Sequence, residues 1–238
     1  MKKLFHPAMG RGQADFGWLK ARHSFSFGQF YNPEKVHFGA LRVLNDDFVA
    51  GGTGFNTHPH DNMEIVTIPL EGALAHKDST GGEGIIRQHD VQIMSAGTGI
   101  YHSEKNANHD VPVKLLQIWV MPKKYNITPR YDQKTYLPES YHNQLKTVVS
   151  PDDENALWIN QDAYFVLGNL DENFDTQYTI RKEGNGVYAF LIEGKAEVNG
   201  QILSPRDAVG IWETDFVQVK TLEKSRILLI EVPMTLEN

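Results

Sequence analysis

THPHDNMEIVTIPLEG, at residues 57–72, places two histidines one residue apart shortly before an apolar run of strand length. In a β-strand, residues i and i+2 point to the same face, so His58 and His60 can direct both imidazoles toward one point. The same spacing recurs at His102 and Glu104, and glycines precede both pairs. If the two strands are neighbours, three imidazoles and one carboxylate converge, and this donor set is typical of a first-row transition-metal site.

The rest of the chain predicts a mostly β protein. Its 20 glycines and 11 prolines are spread along the whole length. Between them lie apolar segments of about four to eight residues, the length of strands rather than helices. The predicted strands include HSFSFGQF, GALRVL, EIVTIPLEG, VKLLQIWVMP, YFVLGNL, VYAFLIEG, DAVGIWE and SRILLIEVP. One short helix is predicted in the region from Pro138 to Leu145.

An internal repeat is suggested by two similar hairpins. In the first half a strand ends in Glu-Gly at 71–72, and the chain re-enters a strand at Asp90. In the second half a strand ends in Glu-Gly at 193–194, and the chain re-enters a strand at Asp207. Any β-meander can produce such a pattern, so on its own it leaves a true duplication open. The segment 122–151 lies between the two units as the predicted boundary.

Composition and charge exclude several classes of protein. With 238 residues, 40% of them hydrophobic, the chain is long enough for one large or two compact domains. The 30 Asp and Glu residues exceed the 23 Lys and Arg residues, and this net charge of -7 disfavours nucleic-acid binding. The absence of cysteine excludes disulfides and thiolate metal sites. Because no signal peptide or membrane-spanning segment is recognised, we expect a cytoplasmic protein with no membrane partner.

An isolated His-x-His pair is more often a surface feature of a half-exposed strand than a metal site. Here it is part of a two-part pattern that resembles the cupin signature. The matching residues are Gly52, His58, His60, Glu64, Gly72, Gly97, Gly99, His102 and Asn106. Gly97 stands where many cupins have proline, and Gly72 lies one position later than the usual spacing. The joint match favours the metal site over the surface interpretation.

Longer segments resemble one family within the cupins, the pirins, and in particular their bacterial members described as quercetin 2,3-dioxygenases. These segments are THPHDNMEIVTIPLEGALAHKDS, VQIMSAGTGIYHSEKN, LQIWVMP and ITPRY, and the resemblance runs from about Gly12 to Val232. It implies an all-β bicupin, that is, two tandem jelly-roll-like β-barrels. We therefore expect an N-terminal barrel at 1–130 that carries the metal site and a degenerate barrel at 131–238 without metal ligands. His89 occupies a position where the family usually has glycine.

The resemblance also assigns roles to individual residues. It maps the metal ligands to His58, His60, His102 and Glu104. It gives Glu64, which has the same strand parity as the two first histidines, a supporting role that orients an imidazole or relays a proton.

Other side chains are weaker candidates. Pocket lining is predicted for Phe55, His76, Met94, Tyr101 and Trp119, although strand-borne aromatic residues and methionines are more often plain core. Five further histidines have no partner at metal spacing and are interpreted as structural or solvated: His6, His23, His37, His109 and His142.

One divalent transition metal per chain is predicted. Three imidazoles and one carboxylate leave two positions of an octahedron open, as in non-haem iron oxygenases, so Fe(II) is the first choice and Zn, Ni, Cu and Mn are the alternatives. The repeat places the equivalent positions of the second unit at Ile180, Lys182, Val219 and Thr221, none of which is a usual ligand for such a metal. No histidine follows His142.

The activity implied by the resemblance is oxidative opening of the central ring of a quercetin-like flavonol by O2, with release of carbon monoxide. In that chemistry Glu104 is the candidate base for the 3-hydroxyl proton. Two alternatives stay open. One is an iron-dependent regulatory protein that binds a transcription or metabolic partner without turnover. The other is a metal-bound protein whose own small-molecule substrate is a different compound.

Overall fold

The strands of the chain are short and closely spaced, as the distribution of glycine and proline predicts. A computed structural model describes residues 1–236. Its strands in chain order are β1 Lys2–His6, β2 Gly12–Asp15, β3 Leu19–His23, β4 Leu41–Val49, β5 Gly54–His60, β6 Glu64–Glu71, β7 Ala73–Asp78, β8 Glu83–Arg87, β9 Asp90–Ser95, β10 Ile100–Asn106, β11 Val113–Val120, β12 Arg130–Thr135, β13 Leu145–Ser150, β14 Leu157–Trp158, β15 Tyr164–Leu170, β16 Asp175–Thr179, β17 Asn185–Glu193, β18 Ala196–Val198, β19 Gln201–Leu203, β20 Ala208–Trp212, β21 Phe216–Thr221 and β22 Ser225–Pro233. Two 3₁₀ helices span Ala8–Gly10 and Pro138–Tyr141.

These strands form two barrels of the same design, each with one large and one small sheet. The first barrel pairs the sheet β12-β9-β6-β11-β4-β3-β2 with the sheet β5-β10-β7-β8. The second pairs β1-β20-β17-β22-β15-β13-β14 with β16-β21-β18-β19. The all-β, two-barrel architecture predicted from the sequence is therefore the observed one.

The two barrels exchange their end strands across the predicted boundary at residue 130. Strand β1 pairs with β20 of the second barrel, and β12, in which the predicted boundary falls, pairs with β9 of the first. Each exchanged strand covers a sheet edge whose backbone groups would otherwise be unpaired. An aspartate holds the end of each exchanged strand. Asp90 accepts a hydrogen bond from Thr135 at the end of β12 at 2.5 Å, and Asp207 accepts one from the backbone N–H of Ala8, just after β1, at 2.7 Å.

The same two aspartates show that the sequence repeat is a structural repeat. The second carboxylate oxygen of Asp90 and that of Asp207 each accept the backbone N–H three residues earlier, at 2.8 and 2.9 Å. The residue before each aspartate has a left-handed backbone, with φ of 75° at His89 and 71° at Arg206. His89 thus adopts the turn for which glycine is the ordinary choice, and the hairpin is kept.

The two large sheets face each other, and their contact forms the largest core of the molecule. Strands β6 and β11 contribute every second residue to it, and so does β22 of the other barrel. The contributing side chains include Val66, Ile68, Leu70, Leu116, Ile118, Val120, Leu228, Ile230 and Val232. The alternate residues of the same strands point into the barrels. Because both faces are buried, the strands read as nearly continuous apolar runs.

The predicted strand HSFSFGQF, at 23–30, is wrong beyond its first residue. β3 ends at His23, and the segment that follows is a turn closed by an isolated bridge. The alternating phenylalanines are used differently from a strand: Phe25 packs against Tyr188 in the core between the barrels, and Phe27 packs against Trp119 in the first barrel. A turn allows the two rings to reach separate cores.

The predicted helix from Pro138 to Leu145 is shorter than expected. Only Pro138–Tyr141 is helical, in 3₁₀ geometry, and the left-handed φ of 51° at Asn143 ends the turn before β13 begins. Neither 3₁₀ helix in residues 1–236 has the length or the apolar character needed to cross a membrane.

Candidate metal centre

Strands β5 and β10 are antiparallel neighbours in the small sheet of the first barrel, and their pairing brings three histidines together. His58 lies directly opposite His102, and His60 lies opposite Ile100. The ring centroids of His58 and His102 are 4.4 Å apart, and His60 lies 4.9 and 4.8 Å from them. One ring nitrogen of each histidine lies within 4.8 Å of the other two, close enough to share one ion.

The protonation of these imidazoles suits a divalent metal. His58 Nδ1 lies 2.7 Å from the Asn56 carbonyl oxygen. This oxygen accepts a hydrogen bond from Nδ1–H, and the lone pair of His58 is then on Nε2. The Nε2 atoms of His60 and His102 are buried and have no hydrogen-bond partner within residues 1–236. Burial, helped by the neighbouring His58, lowers the pKa of His60 to about 4 and that of His102 to about 3. Ring nitrogens of His58, His60 and His102 therefore lie close enough to share one ion, and this donor set fits a transition-metal ion.

Behind His102 lies a chain of hydrogen-bonding groups that fixes its orientation. His102 Nδ1 lies 3.5 Å from His76 Nδ1, and His76 Nε2 lies 3.0 Å from the Asp78 carboxylate. If His76 Nε2–H donates a hydrogen bond to Asp78, His76 Nδ1 can accept a hydrogen bond from His102 Nδ1–H. The lone pair of His102 is then on Nε2, which faces the centre. Tyr131 of the exchanged strand β12 stacks on His76 at 4.6 Å.

Glu104 is buried beside His102 but belongs to a second, overlapping cluster. One of its carboxylate oxygens lies within 4.8 Å of ring nitrogens of His76 and His102. Gln117 Nε2 donates to its two oxygens at 3.1 and 3.4 Å. Burial raises the pKa of Glu104 to about 7, against the opposing effect of these hydrogen bonds. The two clusters found in residues 1–236 share His102.

Gln117 is part of a polar belt that crosses the inner face of the large sheet. One residue from each of five adjacent strands lies directly opposite the next, in the order His23, Asn45, Gln117, Thr67 and Gln92. Thr67 Oγ1 donates to Gln117 Oε1 at 2.7 Å, which turns the Gln117 amide nitrogen toward Glu104. The sequence signal for this belt is a single polar residue within an apolar strand, as at Gln117 in VKLLQIWV.

Three belt residues, His23, Asn45 and Gln117, line a cavity of about 230 Å³ inside the first barrel together with His58 and His60. Its apolar wall consists of Leu19, Ala21, Phe27, Phe55, Leu115 and Trp119. Its polar wall consists of His23, Asn45, Asp47, His58, His60, Glu104 and Gln117. The cavity is thus largely apolar, and a few polar groups face into it, as in ligand-binding sites generally.

The five predicted pocket residues have different positions. Phe55 and Trp119 line the cavity. Tyr101 is 59% exposed and lines an outer groove that shares His60 and Trp119 with the cavity. Met94 is buried in a small separate core with Ile65, and His76 lies behind His102 rather than in the cavity wall. His23, interpreted from the sequence as structural or solvated, is a wall residue whose Nδ1 lies 2.8 Å from Asn45 Oδ1.

The position of Glu64 differs from its predicted supporting role at an imidazole. Its Oε2 atom accepts hydrogen bonds from Ser95 Oγ at 2.8 Å and from the Asn160 backbone N–H at 3.1 Å. No histidine of the described residues donates to it. Asn160 lies in the second half of the chain, so Glu64 ties that half to the first barrel.

The interior of the second barrel is filled. Its core consists of Val166, Leu170, Tyr178, Val187, Ala189, Leu191, Ala196, Val198, Leu203, Val209, Ile211, Val217, Val219, Ile227 and Leu229. Both metal-type clusters found in residues 1–236 lie in the first barrel. The positions equivalent to the ligands have structural roles: Val219 belongs to the core, Ile180 packs against it, and Thr221 hydrogen-bonds the backbone.

Comparisons with known proteins agree with this architecture. Residues 6–120 match the family model described as Pirin, and residues 147–232 match the one described as Quercetinase C-terminal cupin domain. The chain is 39% identical over 224 residues to the quercetin 2,3-dioxygenase of Escherichia coli K12, covering 94% of this chain and 95% of that protein. It is 39% identical over 222 residues to the pirin-like protein of Caulobacter vibrioides, covering 92% and 95%.

Solved structures give the same result. The crystal structure of bacterial pirin YhhW from Escherichia coli in complex with nickel(II) superimposes with a TM-score of 0.93 at 36% identity, covering 98% of this chain and all of that one. The all-β bicupin fold predicted from the sequence is confirmed, and a transition metal is bound by a protein of this fold.

Removing one histidine of the centre should lower metal affinity sharply. Loss of a hydrogen-bond partner of a metal ligand typically lowers metal affinity by roughly 10–100-fold, and we expect Asp78→Ala to fall within that range. Each of His58→Ala, His60→Ala and His102→Ala should lower metal affinity by more than this. Elemental analysis of chelator-washed and reloaded protein should give about one metal per parent chain. His109→Ala, at an exposed position, is the matched control. Full metal content in a triple histidine variant would contradict the assignment.

Glu64 should control stability rather than metal affinity. Burial raises its pKa to about 7, against hydrogen bonds from Asn160 and Ser95, while the ordinary glutamate value is 4.5. Because the pKa of Glu64 is higher in the folded than in the unfolded protein, its contribution to stability is present at low pH and is lost as the pH rises. Between pH 4.5 and 8 the free energy of unfolding of the parent should therefore fall by about 3 kcal/mol relative to that of Glu64→Gln.

Urea unfolding of the metal-free proteins at both pH values measures this difference, and exposed Glu139→Gln is the control for loss of one carboxylate. Metal affinity of Glu64→Gln should stay within about threefold of the parent, below the effect of an outer-shell partner. A flat pH dependence together with a large loss of affinity would instead support the role predicted from the sequence.

Proposed function

The chain belongs to the pirin family, and on that premise we propose that it is a metal-dependent dioxygenase that opens the central ring of quercetin-like flavonols with O2 and releases carbon monoxide. The observation that carries this proposal is the cluster of His58, His60 and His102 beside a largely apolar cavity. The Nε2 atoms of His60 and His102 have no hydrogen-bond partner within residues 1–236, and the cavity wall includes His58, His60 and the buried Glu104. The relatives named quercetin 2,3-dioxygenase, at 39% identity, support the substrate class.

The cavity suits a flat aromatic ligand. Phe27, Phe55 and Trp119 supply aromatic surface, and the volume of about 230 Å³ lies below the roughly 300–1,000 Å³ of common ligand sites. A compact planar molecule can therefore fill it, whereas a larger one needs movement of the walls. An apolar wall also keeps bulk water from the reacting atoms once the ligand is seated.

His58, His60 and His102 are the residues that would hold the metal, and Glu104 is the proposed fourth ligand. A bound divalent metal supplies Lewis-acid binding and orientation of the substrate oxygens. Fe(II) is the proposed ion, because three imidazoles and a carboxylate with open positions are related to the two-histidine, one-carboxylate donor set of non-haem iron oxygenases. Nickel in the related pirin structure agrees with the order of affinities, in which Ni(II) exceeds Fe(II) at a given nitrogen site.

Glu104 is the proposed acceptor of the flavonol 3-hydroxyl proton. The O–H bond breaks, the proton moves to a Glu104 carboxylate oxygen, and the electron pair stays on the substrate oxygen. Burial raises the pKa of Glu104 to about 7, which suits a group that must take up and release a proton near neutral pH. Gln117, oriented by Thr67, holds the carboxylate in place during this exchange.

Quercetin turnover tests the proposal directly. Iron-reconstituted parent should consume one O2 and release one carbon monoxide for each quercetin, measured together with an oxygen electrode and a carbon monoxide assay. The double variant His58→Ala and His60→Ala, prepared in the same way, should show neither. If the reconstituted parent consumes no oxygen with quercetin, the dioxygenase proposal fails and the regulatory alternative gains weight.

Loss of the Glu104 carboxylate should separate metal binding from turnover. Glu104→Gln is expected to retain part of the metal, because an amide oxygen coordinates weakly, and to lower kcat by about 10²–10⁴-fold, the usual contribution of a positioned base. Glu71→Gln, an exposed glutamate at the end of β6, should behave as the parent does. Unchanged kcat in Glu104→Gln would remove this residue from the role of base.

A further inference from the structure

Asp47 is a buried carboxyl group in the cavity wall to which the metal centre gives no role. It lies on β4, is only 6% exposed and faces the same cavity as His58, His60 and Glu104. It belongs to neither of the two metal-type clusters of the described residues. Asp47 is therefore placed to contact a molecule bound in the cavity rather than the metal.

The surroundings of Asp47 do not satisfy its hydrogen-bonding capacity. Its neighbours across the sheet are Ala21 on β3 and Leu115 on β11, which offer no polar side-chain atom. Its Oδ1 atom is buried and has no hydrogen-bond partner within residues 1–236. An unpartnered buried carboxyl oxygen is expensive, and native proteins keep such groups mainly where they have a function.

Two other polar groups of the same wall have hydrogen-bond partners, whereas the free His60 Nε2 atom belongs to the histidine cluster of the metal centre. His23 is paired with Asn45, and Gln117 is hydrogen-bonded to Glu104. Asp47 is thus a polar point on an otherwise apolar side of the cavity. Burial, together with the negative charges of Asp46 and Glu104, raises the pKa of Asp47 to about 8, so at neutral pH it is largely a neutral carboxylic acid that can both donate and accept.

We propose that Asp47 is a second binding point of the cavity, where it hydrogen-bonds a phenolic hydroxyl group of the substrate other than the oxygens bound at the metal centre. This inference rests on the proposed flavonol activity and narrows it. The site then selects polyhydroxylated aromatic compounds over those that carry only the 3-hydroxy-4-keto group. A site built to hydrogen-bond a hydroxyl group discriminates strongly against the analogue that lacks it.

Stability gives a readout that separates this role from a structural one. A carboxyl group kept for ligand binding weakens the empty protein, so Asp47→Leu, of similar size, should raise Tm by a few degrees. A carboxyl group that supports the fold would give the opposite sign. A lower Tm, or failure of Asp47→Leu to fold, would therefore count against the proposal.

Binding of two flavonols to the metal-loaded protein without O2 tests the proposal itself. Quercetin carries additional hydroxyl groups, and 3-hydroxyflavone retains only the 3-hydroxy-4-keto group. The parent should bind quercetin at least about tenfold more tightly, as expected for one buried hydrogen bond to a carboxyl group. Asp47→Leu should reduce this preference to about twofold or less, and Asp47→Asn should keep most of it because the amide still hydrogen-bonds.

Leu115→Val is the matched control, because Leu115 lies beside Asp47 on the neighbouring strand and the change alters the size of that part of the wall without altering its polarity. This variant should change the affinities for quercetin and 3-hydroxyflavone by the same factor, so the preference for quercetin should equal that of the parent. If Asp47→Leu retains the parent preference while 3-hydroxyflavone is still consumed, the Asp47 proposal is wrong and the dioxygenase proposal stands. If the parent neither binds nor consumes either flavonol, both proposals fail.

Discussion

The register between β5 and β10 is the constraint on which the site depends. Opposite pairing of His58 and His102 directs both rings inward, and a slip of one residue would turn them outward. Gly54 secures the register at the far end of the pair, because a Cβ atom there would lie 2.4 Å from the Glu104 carbonyl oxygen. A bulge between the two ends places Phe55 opposite Glu104, so Phe55 and His58 both line the cavity although they are three residues apart.

The second barrel makes this polar interior tolerable. A cavity with buried carboxyl groups and unpartnered imidazoles contributes less to stability than a packed core of the same size. The large sheet of the first barrel recovers apolar burial on its other face, where Leu116 and Ile118 pack in the shared core with Leu228 and Ile230. Exchange of β1 and β12 makes each barrel depend on the other for a sheet edge. The two barrels are therefore one folding unit with different interiors.

Sequence reasoning succeeds here where the controlling relation is local. The same-face spacing of His58 and His60 needs only the period of a strand, and SRILLIEVP and YFVLGNL coincide with the bounds of β22 and β15. It fails where partners lie far apart in the chain. Asp78 could have been suspected from its spacing to His76, but the contact of His76 with His102 depends on how β7 pairs with β10. Likewise Glu64 meets Asn160 only through the packing of the two halves.

Satisfaction of hydrogen bonds distinguishes the buried carboxyl groups of the two barrels. Glu231 of the second barrel is fully buried and accepts from Tyr178, Asn185 and the backbone N–H groups of Arg181 and Lys182. So many donors fix a carboxylate in a filled core, where it links loops and strands of one fold. Asp47 in the first barrel has an oxygen with no donor, beside an open cavity. Burial alone therefore does not distinguish a functional carboxyl group from a structural one in this duplicated architecture. The distinguishing feature is an unsatisfied carboxyl oxygen, because a bound molecule can supply the missing hydrogen bond.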